Sequence, residues 1–420
     1  VTDPADLTAT EALARVRDGR LTTEDWREAC LRRIGRLERG VRAFTVHDAN
    51  AVRAIVPTVG PLHGMPLGVK DVLDTADLTS EYGSPIWAGH RPRADAAAVA
   101  WARDAGAVVM GKTVTTEFAT RRPGPTTNPH DPAHTPGGSS SGSAAGVAAG
   151  FFPVAFGTQT AGSIIRPAAF CGVVGYKPSF GAIPRHGMKV MSETLDTIGV
   201  LARSVADCAL VAGAVGLRDL GDPGRRPERA PRIGLCRSPV WDKAAPETVA
   251  LWDEVATRLG RAGAVLVERE LPADYAALDA AHPVVMNAES ARSLGWELVA
   301  ARGGISDVLL ERLEWGLAQG TDALEAALAV FARLRAGFPV VMDGLDVLVT
   351  PSAPGEAPEG LGWTGDPVFN SYWSALGVPC VTVPAGAGPR GLPLGIQIVG
   401  RLGDDRNVLG WAAFVAAAVA

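Results

Sequence analysis

Cysteine is scarce and shows no pairing pattern. The 420 residues hold five, Cys30, Cys171, Cys208, Cys236 and Cys380, and no two form a CxxC pair. An odd, scattered set supports neither a disulfide framework nor a structural zinc site. Excess charge of one sign is also missing, with forty Lys and Arg against forty-five Asp and Glu. That balance lacks the basic surplus of a nucleic-acid binder, and the interspersed signs leave no tail that would choose a partner by bulk charge. The start at Val1-Thr2-Asp3-Pro4 has no basic segment followed by an apolar one. No signal peptide is expected, and a cytoplasmic location is. Ser143 to Ile165 is uncharged and long enough for a membrane span. Pro153, its glycines and Thr158-Gln159-Thr160 argue instead for a densely packed buried segment. No internal repeat is visible.

Hydrophobic residues make up 47% and charged residues 20%, the composition of a chain with a substantial core. Thr8 with Glu11 reads as a capping box that opens a short helix. A longer amphipathic helix is expected from Thr22 to Gly40, with Trp26, Ala29, Cys30, Ile34 and Leu37 on one face. Strands are expected at Val41–Val46, Leu67–Val72, Ala107–Met110, Val173–Tyr176, Arg232–Leu235, Ala264–Val267, Asp346–Val349, Cys380–Val383 and Leu394–Val399. Helical stretches such as Asp95–Asp104, Ser204–Val215 and Glu247–Arg261 lie between them. This alternation predicts an α/β fold with a largely parallel or mixed sheet covered on both faces. Leu220 to Pro231, rich in Pro, Gly and Arg, reads as an exposed connection. Tyr275 to Phe338 reads as a helical layer, and Trp411 to Ala420 as a final helix.

Gly137-Gly138-Ser139-Ser140-Ser141-Gly142-Ser143 is the most unusual stretch. A flexible linker fails on context, because small apolar residues follow at once from Ala144 to Phe156. A nucleophile elbow centred on Ser140 needs a strand just before it, and the prolines at 123, 125, 129, 132 and 136 forbid one. Downstream, Gly157-Thr158-Gln159-Thr160-Ala161-Gly162-Ser163 places small residues before a serine. Two readings stand here: a tight turn beside a buried strand, or main-chain N–H groups arranged as an oxyanion hole, each donor worth roughly 3–4 kcal/mol to a transition state. A nucleophilic serine needs a base, and none of the seven histidines is nominated by pattern. Only five lysines exist. Lys70, in Pro66-Leu67-Gly68-Val69-Lys70-Asp71, sits where a strand would carry it inward. It is either a solvated or ion-paired side chain or, if desolvated, a lysine able to lose its proton, which arginine cannot do.

Together these pieces resemble the amidase signature family. The resemblance covers most of the chain: the N-terminal helices, Pro61 to Asp71, Gly137 to Pro178, Gly377-Val378-Pro379-Cys380 and Gly391 to Arg401. It implies a single amidase domain over 1–420. The core sheet and catalytic segment would span about 41–217, the helical layer about 273–338, and the last strands and helix about 345–420. It further implies Ser163 as nucleophile, Ser139 as bridging serine after a cis peptide bond, and Lys70 as base, relaying a proton during formation of an acyl-enzyme. The oxyanion donors would be the N–H groups of Thr160, Ala161, Gly162 and Ser163. Leu67, Val69 and Val72 would supply the apolar burial that keeps Lys70 neutral. No metal or organic cofactor is implied; the substrate would be a small amide, with water as second reactant, and a homodimer is the family-level expectation.

The chain departs from the commoner pattern near Ser163. Gln159 stands where an Asp is usual, Ala161 where a Gly is, and arginine comes at Arg166 rather than at position 165, which is Ile165. Loss of an Asp and an Arg together reads as one ion pair replaced as a unit. The variant resembles a malonamidase-like branch that takes carboxylate-bearing amides. Arg166 would there bind the substrate carboxylate; its other reading is a structural ion pair in the core. Gly362 to Asn370 also resembles that branch and is expected to line the acyl pocket. Glu117-Phe118 and Thr127-Asn128-Pro129 match general family positions near the site. The rival reading within the same family is the glutaminase subunit of an amidotransferase; a catalytically inert binding protein on this fold is the third.

Overall fold

The computed structural model describes residues 2–224 and 229–420. Its strands are β1 (Phe44–Val46), β2 (Pro66–Lys70), β3 (Val108–Thr113), β4 (Val154–Gln159), β5 (Val174–Lys177), β6 (Thr197–Ala202), β7 (Arg232–Leu235), β8 (Val265–Glu268), β9 (Val347–Pro351), β10 (Cys380–Ala387) and β11 (Pro393–Val399). All join one sheet in the order β1-β3-β2-β4-β6-β5-β10-β11-β9-β7-β8. β2 runs parallel to β3 and β4, and β7 parallel to β8 and β9, while the other pairings are antiparallel. Every residue of β2 to β6 and of β9 is buried, as a sheet covered by helices on both faces requires. The expected mixed α/β architecture is present.

The differences from the sequence reading are local. The strand expected from Val41 shortens to β1, because the helix Thr23–Val41 continues to Val41 and ends on Arg42 in a left-handed conformation with φ 54°. The Glu38 carboxylate then accepts from the amides of Ala43 and Phe44. β4 and β6 carry no alternating pattern, since both faces are buried, and a short apolar run of this kind has no diagnostic period. The strand expected at Asp346 starts at Val347, while the Asp346 carboxylate accepts from the Arg232 amide. The Thr8/Glu11 capping box is present. Of the expected connection Leu220–Pro231, residues 225–228 lie outside the described residues. Ser143–Ile165 forms part of the helix Ser141–Ala148 and then β4, and no described helix is long and apolar enough to cross a membrane.

The helical layer comprises Leu278–Ser293, Gly295–Ala300, Asp307–Ala318 and Gly320–Val341. Tyr275, Leu278, Phe331, Leu334 and Phe338 pack with Phe369 and Trp373 in an apolar cluster of their own, distinct from the cluster around β2 to β6. Two of these helices, Leu278–Ser293 and Asp307–Ala318, supply one wall of the cavity that holds Ser163.

Candidate active site

The Gly/Ser stretch is buried throughout. The amide of Gly142 donates to the Val114 carbonyl at 3.0 Å, and a Cβ there would stand 2.1 Å from the Ala43 carbonyl oxygen. Only glycine lets the helix Ser141–Ala148 seat so closely against the end of β3. The serines serve as cross-links: Ser140 exchanges hydrogen bonds with the main chain of Thr158, Ser141 Oγ donates to the Gly137 carbonyl, and Ser143 Oγ donates to the Phe156 carbonyl. Ser139 is left facing β2. The Gly138–Ser139 peptide bond is cis.

Lys70, the last residue of β2, is 0% exposed, and it forms no ion pair among the described residues. Its Nζ lies 2.7 Å from Ser139 Oγ, 2.8 Å from Thr158 Oγ1 and 3.4 Å from the Thr158 carbonyl oxygen. Burial pushes its pKa well below the usual lysine value, against a smaller opposing pull from the Asp196 charge. The source of that burial differs in part from the expectation. Val69, the adjacent strand residue, projects to the opposite face of β2. The cover over the amine comes from Ser139 and from Thr158 on β4, neighbours in space rather than in sequence.

β4 leads into the loop 160–164, and Gln159 organises it. Its Oε1 accepts from the amides of Ile164 and Ile165 at 2.9 and 3.0 Å, while Nε2 donates to Ser374 Oγ. Ser374 in turn donates to the Ala161 carbonyl. A neutral amide thus fixes the loop with both an acceptor and a donor. Thr160 Oγ1 donates to the buried Asp196 carboxylate at 2.6 Å, and His282 Nε2 lies 3.2 Å from the Thr160 carbonyl. Facing a carbonyl, that nitrogen is the protonated one. Desolvation keeps the imidazole neutral, with a pKa lowered to about 4. A Cβ on Gly162 would meet Asn370 Oδ1 at 2.4 Å, so the loop lies directly on the helix Val368–Leu376.

None of the amides of Thr160, Ala161, Gly162 and Ser163 donates a hydrogen bond among the described residues. Peptide planarity then has a consequence. In a trans peptide the C=O and the following N–H point in opposite directions. His282 holding the Thr160 carbonyl therefore aims the Ala161 N–H, and Ser374 holding the Ala161 carbonyl aims that of Gly162. His282, Ser374, Thr158 and Asp196 escaped the sequence reading. No motif marks them, since each comes from a different element and meets the loop only in the fold.

Ser163 lines a cavity together with Thr160, Ala161 and Arg166. Its hydroxyl makes no hydrogen bond among the described residues, so Lys70 and Ser139 are in contact with each other but Ser163 is not bonded to either. Arg166 is buried. One nitrogen donates to the Gly138 carbonyl at 2.7 Å and to Thr364 Oγ1 at 3.2 Å, while Nε and Nη1 have no partner. It forms no ion pair among the described residues, and the Asp366 charge acts on it only from beyond ion-pair distance. Burial lowers its pKa to about 10. Trp363, Thr364, Gly365 and Pro367 also line the cavity, within the expected segment Gly362–Asn370. Glu117 is buried and accepts from the Ser306 amide, and Asn128 Nδ2 donates to the Phe170 and Thr135 carbonyls; both are structural contacts here. No cluster of His, Cys, Asp and Glu able to hold a metal occurs among the described residues.

The chain is an α/β enzyme of the kind that acts on amide C–N bonds. The particular family follows from comparison. A family model described as Amidase matches residues 28–409, and the chain belongs to the amidase signature family. It is 34% identical to one of the subunits of the glutamyl-tRNA(Gln) amidotransferase of Rhodospirillum rubrum, over 96% of this chain and 93% of that one. Among solved structures, the peptide amidase of Stenotrophomonas maltophilia superposes with a TM-score of 0.81 at 31% identity, covering 99% of this chain and 97% of the other. A structure described only as an amidase superposes with a TM-score of 0.89 at 28% identity, covering 99% and 100%.

Proposed function

We propose that the chain hydrolyses the C–N bond of a small carboxylate-bearing amide through an acyl-enzyme on Ser163. The observation that carries this reading is the buried contact between Lys70 and Ser139, with no carboxylate paired to the lysine. A neutral amine has two N–H donors and one lone pair. Thr158 offers two acceptors for the donors, which leaves the lone pair for the Ser139 proton. As Ser163 Oγ attacks the amide carbon, its proton passes to Ser139 Oγ, and the Ser139 proton passes to Lys70. The carbonyl oxygen becomes an oxyanion, to which the free amides of the loop 160–163 donate without further reorganisation. Collapse breaks the C–N bond, and the lysine proton returns through Ser139 to the departing nitrogen. Water then attacks the acyl-enzyme by the same relay, releasing a carboxylic acid and free Ser163.

The carboxylate preference rests on Arg166. Arg166 lines the same cavity as Ser163, two of its nitrogens have no partner, and a carboxylate matches guanidinium geometry. The test is ammonia release by the pure chain from malonamate and from matched neutral amides, with Ser163→Ala as blank. Serine-dependent release that favours malonamate supports the whole reading. Release favouring neutral amides keeps the relay and discards the carboxylate preference.

A second reading, a glutaminase chain working in a complex, is favoured by the 34% identity to a component of an amidotransferase. It requires glutamine hydrolysis that is weak alone and rises when partner chains are added.

A further inference from the structure

We propose that Arg121 and Arg312 form a second anion subsite in the Ser163 cavity, recognising an additional carboxylate on the substrate. It rests on the reading of that cavity as the amide site. Both residues line the cavity, as Arg166 does, and no Asp or Glu is among the lining residues. Neither Arg121 nor Arg312 forms an ion pair among the described residues. The three cations also crowd one another. Burial, and then the Arg121 charge, holds the Arg312 pKa below its ordinary value, and the Arg121 charge acts in the same sense on Arg166.

The nearby carboxylates are engaged elsewhere. Glu117 accepts from the amide and hydroxyl of Ser306, and Asp366 accepts from the Val368 amide. Glu311 is exposed on the helix Asp307–Ala318. Both arginines are also carried on braced backbone. Phe118 and Ala119 have φ of 45° and 58°, a conformation rare for consecutive non-glycine residues, with Phe118 buried and its amide bonded to the Tyr82 carbonyl. The Glu117–Ser306 contact ties this turn to the start of the helix bearing Arg312. The turn and the helix therefore bring two like charges to one cavity, Arg312 half-buried and Arg121 exposed.

Such an arrangement, with no Asp or Glu lining the cavity and only the charges of Asp366 and Glu311 opposing it, favours an anionic ligand. Met191, Met286, Leu309, Leu313 and Trp363 supply apolar wall in the same cavity. The substrate class that fits is an amide with two carboxylates on a short hydrocarbon frame, one for Arg166 and one for Arg121 and Arg312.

The experiment is calorimetric titration of the intact chain with malonate, tricarballylate and butane-1,2,4-tricarboxylate. None of these is an amide, so binding is read whether or not the chain hydrolyses amides. At least one tricarboxylate is expected to bind ten or more times tighter than malonate. Arg121→Gln and Arg312→Gln should remove that advantage and leave malonate affinity within about twofold, while Arg166→Gln weakens all three ligands. Arg312→Lys, which keeps the charge, should retain part of the advantage, and unchanged melting temperatures would exclude misfolding. Tricarboxylates binding no tighter than malonate would overturn the subsite. So would equal losses for all three ligands in the Arg121 and Arg312 variants.

Discussion

The amine of Lys70 and the hydroxyl of Ser139 stand 2.7 Å apart where solvent does not reach, the two residues being 0% and 1% exposed. A protonated lysine held there would lack any adjacent counter-ion. The site therefore favours the neutral amine, the form a base requires.

Removing that base should cost activity while improving stability. Lys70→Met is expected to lower kcat/KM about 10²–10⁴-fold, the usual worth of a positioned acid–base group. The folded-state pKa of Lys70 lies below its unfolded value. Between the two values the unfolded chain binds more protons, so stability rises with pH across that window and the charged lysine favours unfolding at neutral pH. The variant should thus melt at a higher temperature at pH 7, with the gain shrinking as pH rises. A lower melting temperature would show that the lysine is a net structural support.

The same titration should shape the rate. In the parent chain kcat/KM is expected to rise with pH to a plateau, the acid limb reporting protonation of Lys70 below the ordinary lysine value. A flat profile from about pH 5 to 9 with chemistry limiting would remove Lys70 as the base.

Arg166→Ala should discriminate between substrates. Hydrogen bonds to a charged group contribute about 1.5–3 kcal/mol, so activity on malonamate should fall about 10–100-fold more than activity on a neutral amide. Equal losses on the two substrates would leave Arg166 a structural role only.

Gln159→Leu should act on the loop itself. It leaves the Ile164 and Ile165 amides without their acceptor, at about 1–3 kcal/mol for each orphaned group. Chemical denaturation should show a loss of about 2–6 kcal/mol if neither amide finds a new acceptor, with a fall in kcat because the loop amides are no longer held. Ser374→Ala should lower kcat with a smaller loss of stability.

Lys112 and Asp71 form a fully buried ion pair at 2.9 Å beside the site. Lys112→Met alone should destabilise by about 3–5 kcal/mol, because it strands a buried carboxylate. The double variant with Asp71→Leu should recover most of that loss, as read by denaturant midpoints.

Much of this protein was legible without coordinates because small residues in order leave few alternatives. Gly142 and Gly162 are places where two main chains, or a main chain and a side chain, approach too closely for a Cβ. Such positions stand out in a sequence as runs of Gly, Ser and Ala. The mixed sheet and the helical layer followed from the alternation and period of apolar residues, and the candidates Lys70, Ser139, Ser163 and Arg166 from those runs and the family resemblance they support. β4 and β6 did not, because a strand buried on both faces loses the alternation that announces it.

The tertiary structure alone decided what surrounds each candidate. Lys70 is one of five lysines, and nothing beside it in sequence distinguishes a base from an ion-paired support. Its character comes from Ser139 and Thr158, brought over it by the order of strands in the sheet. His282 and Ser374, on two helices far along the chain, meet the carbonyls of Thr160 and Ala161 and so set the direction of two peptide groups. Arg121 and Arg312 share a cavity only because the Glu117 turn and a distant helix are tied at Ser306. Sequence determines which groups are present and where the chain can pack tightly; hydrogen-bond direction, desolvation and like-charge proximity depend on distances through space, and these exist only once the chain has folded.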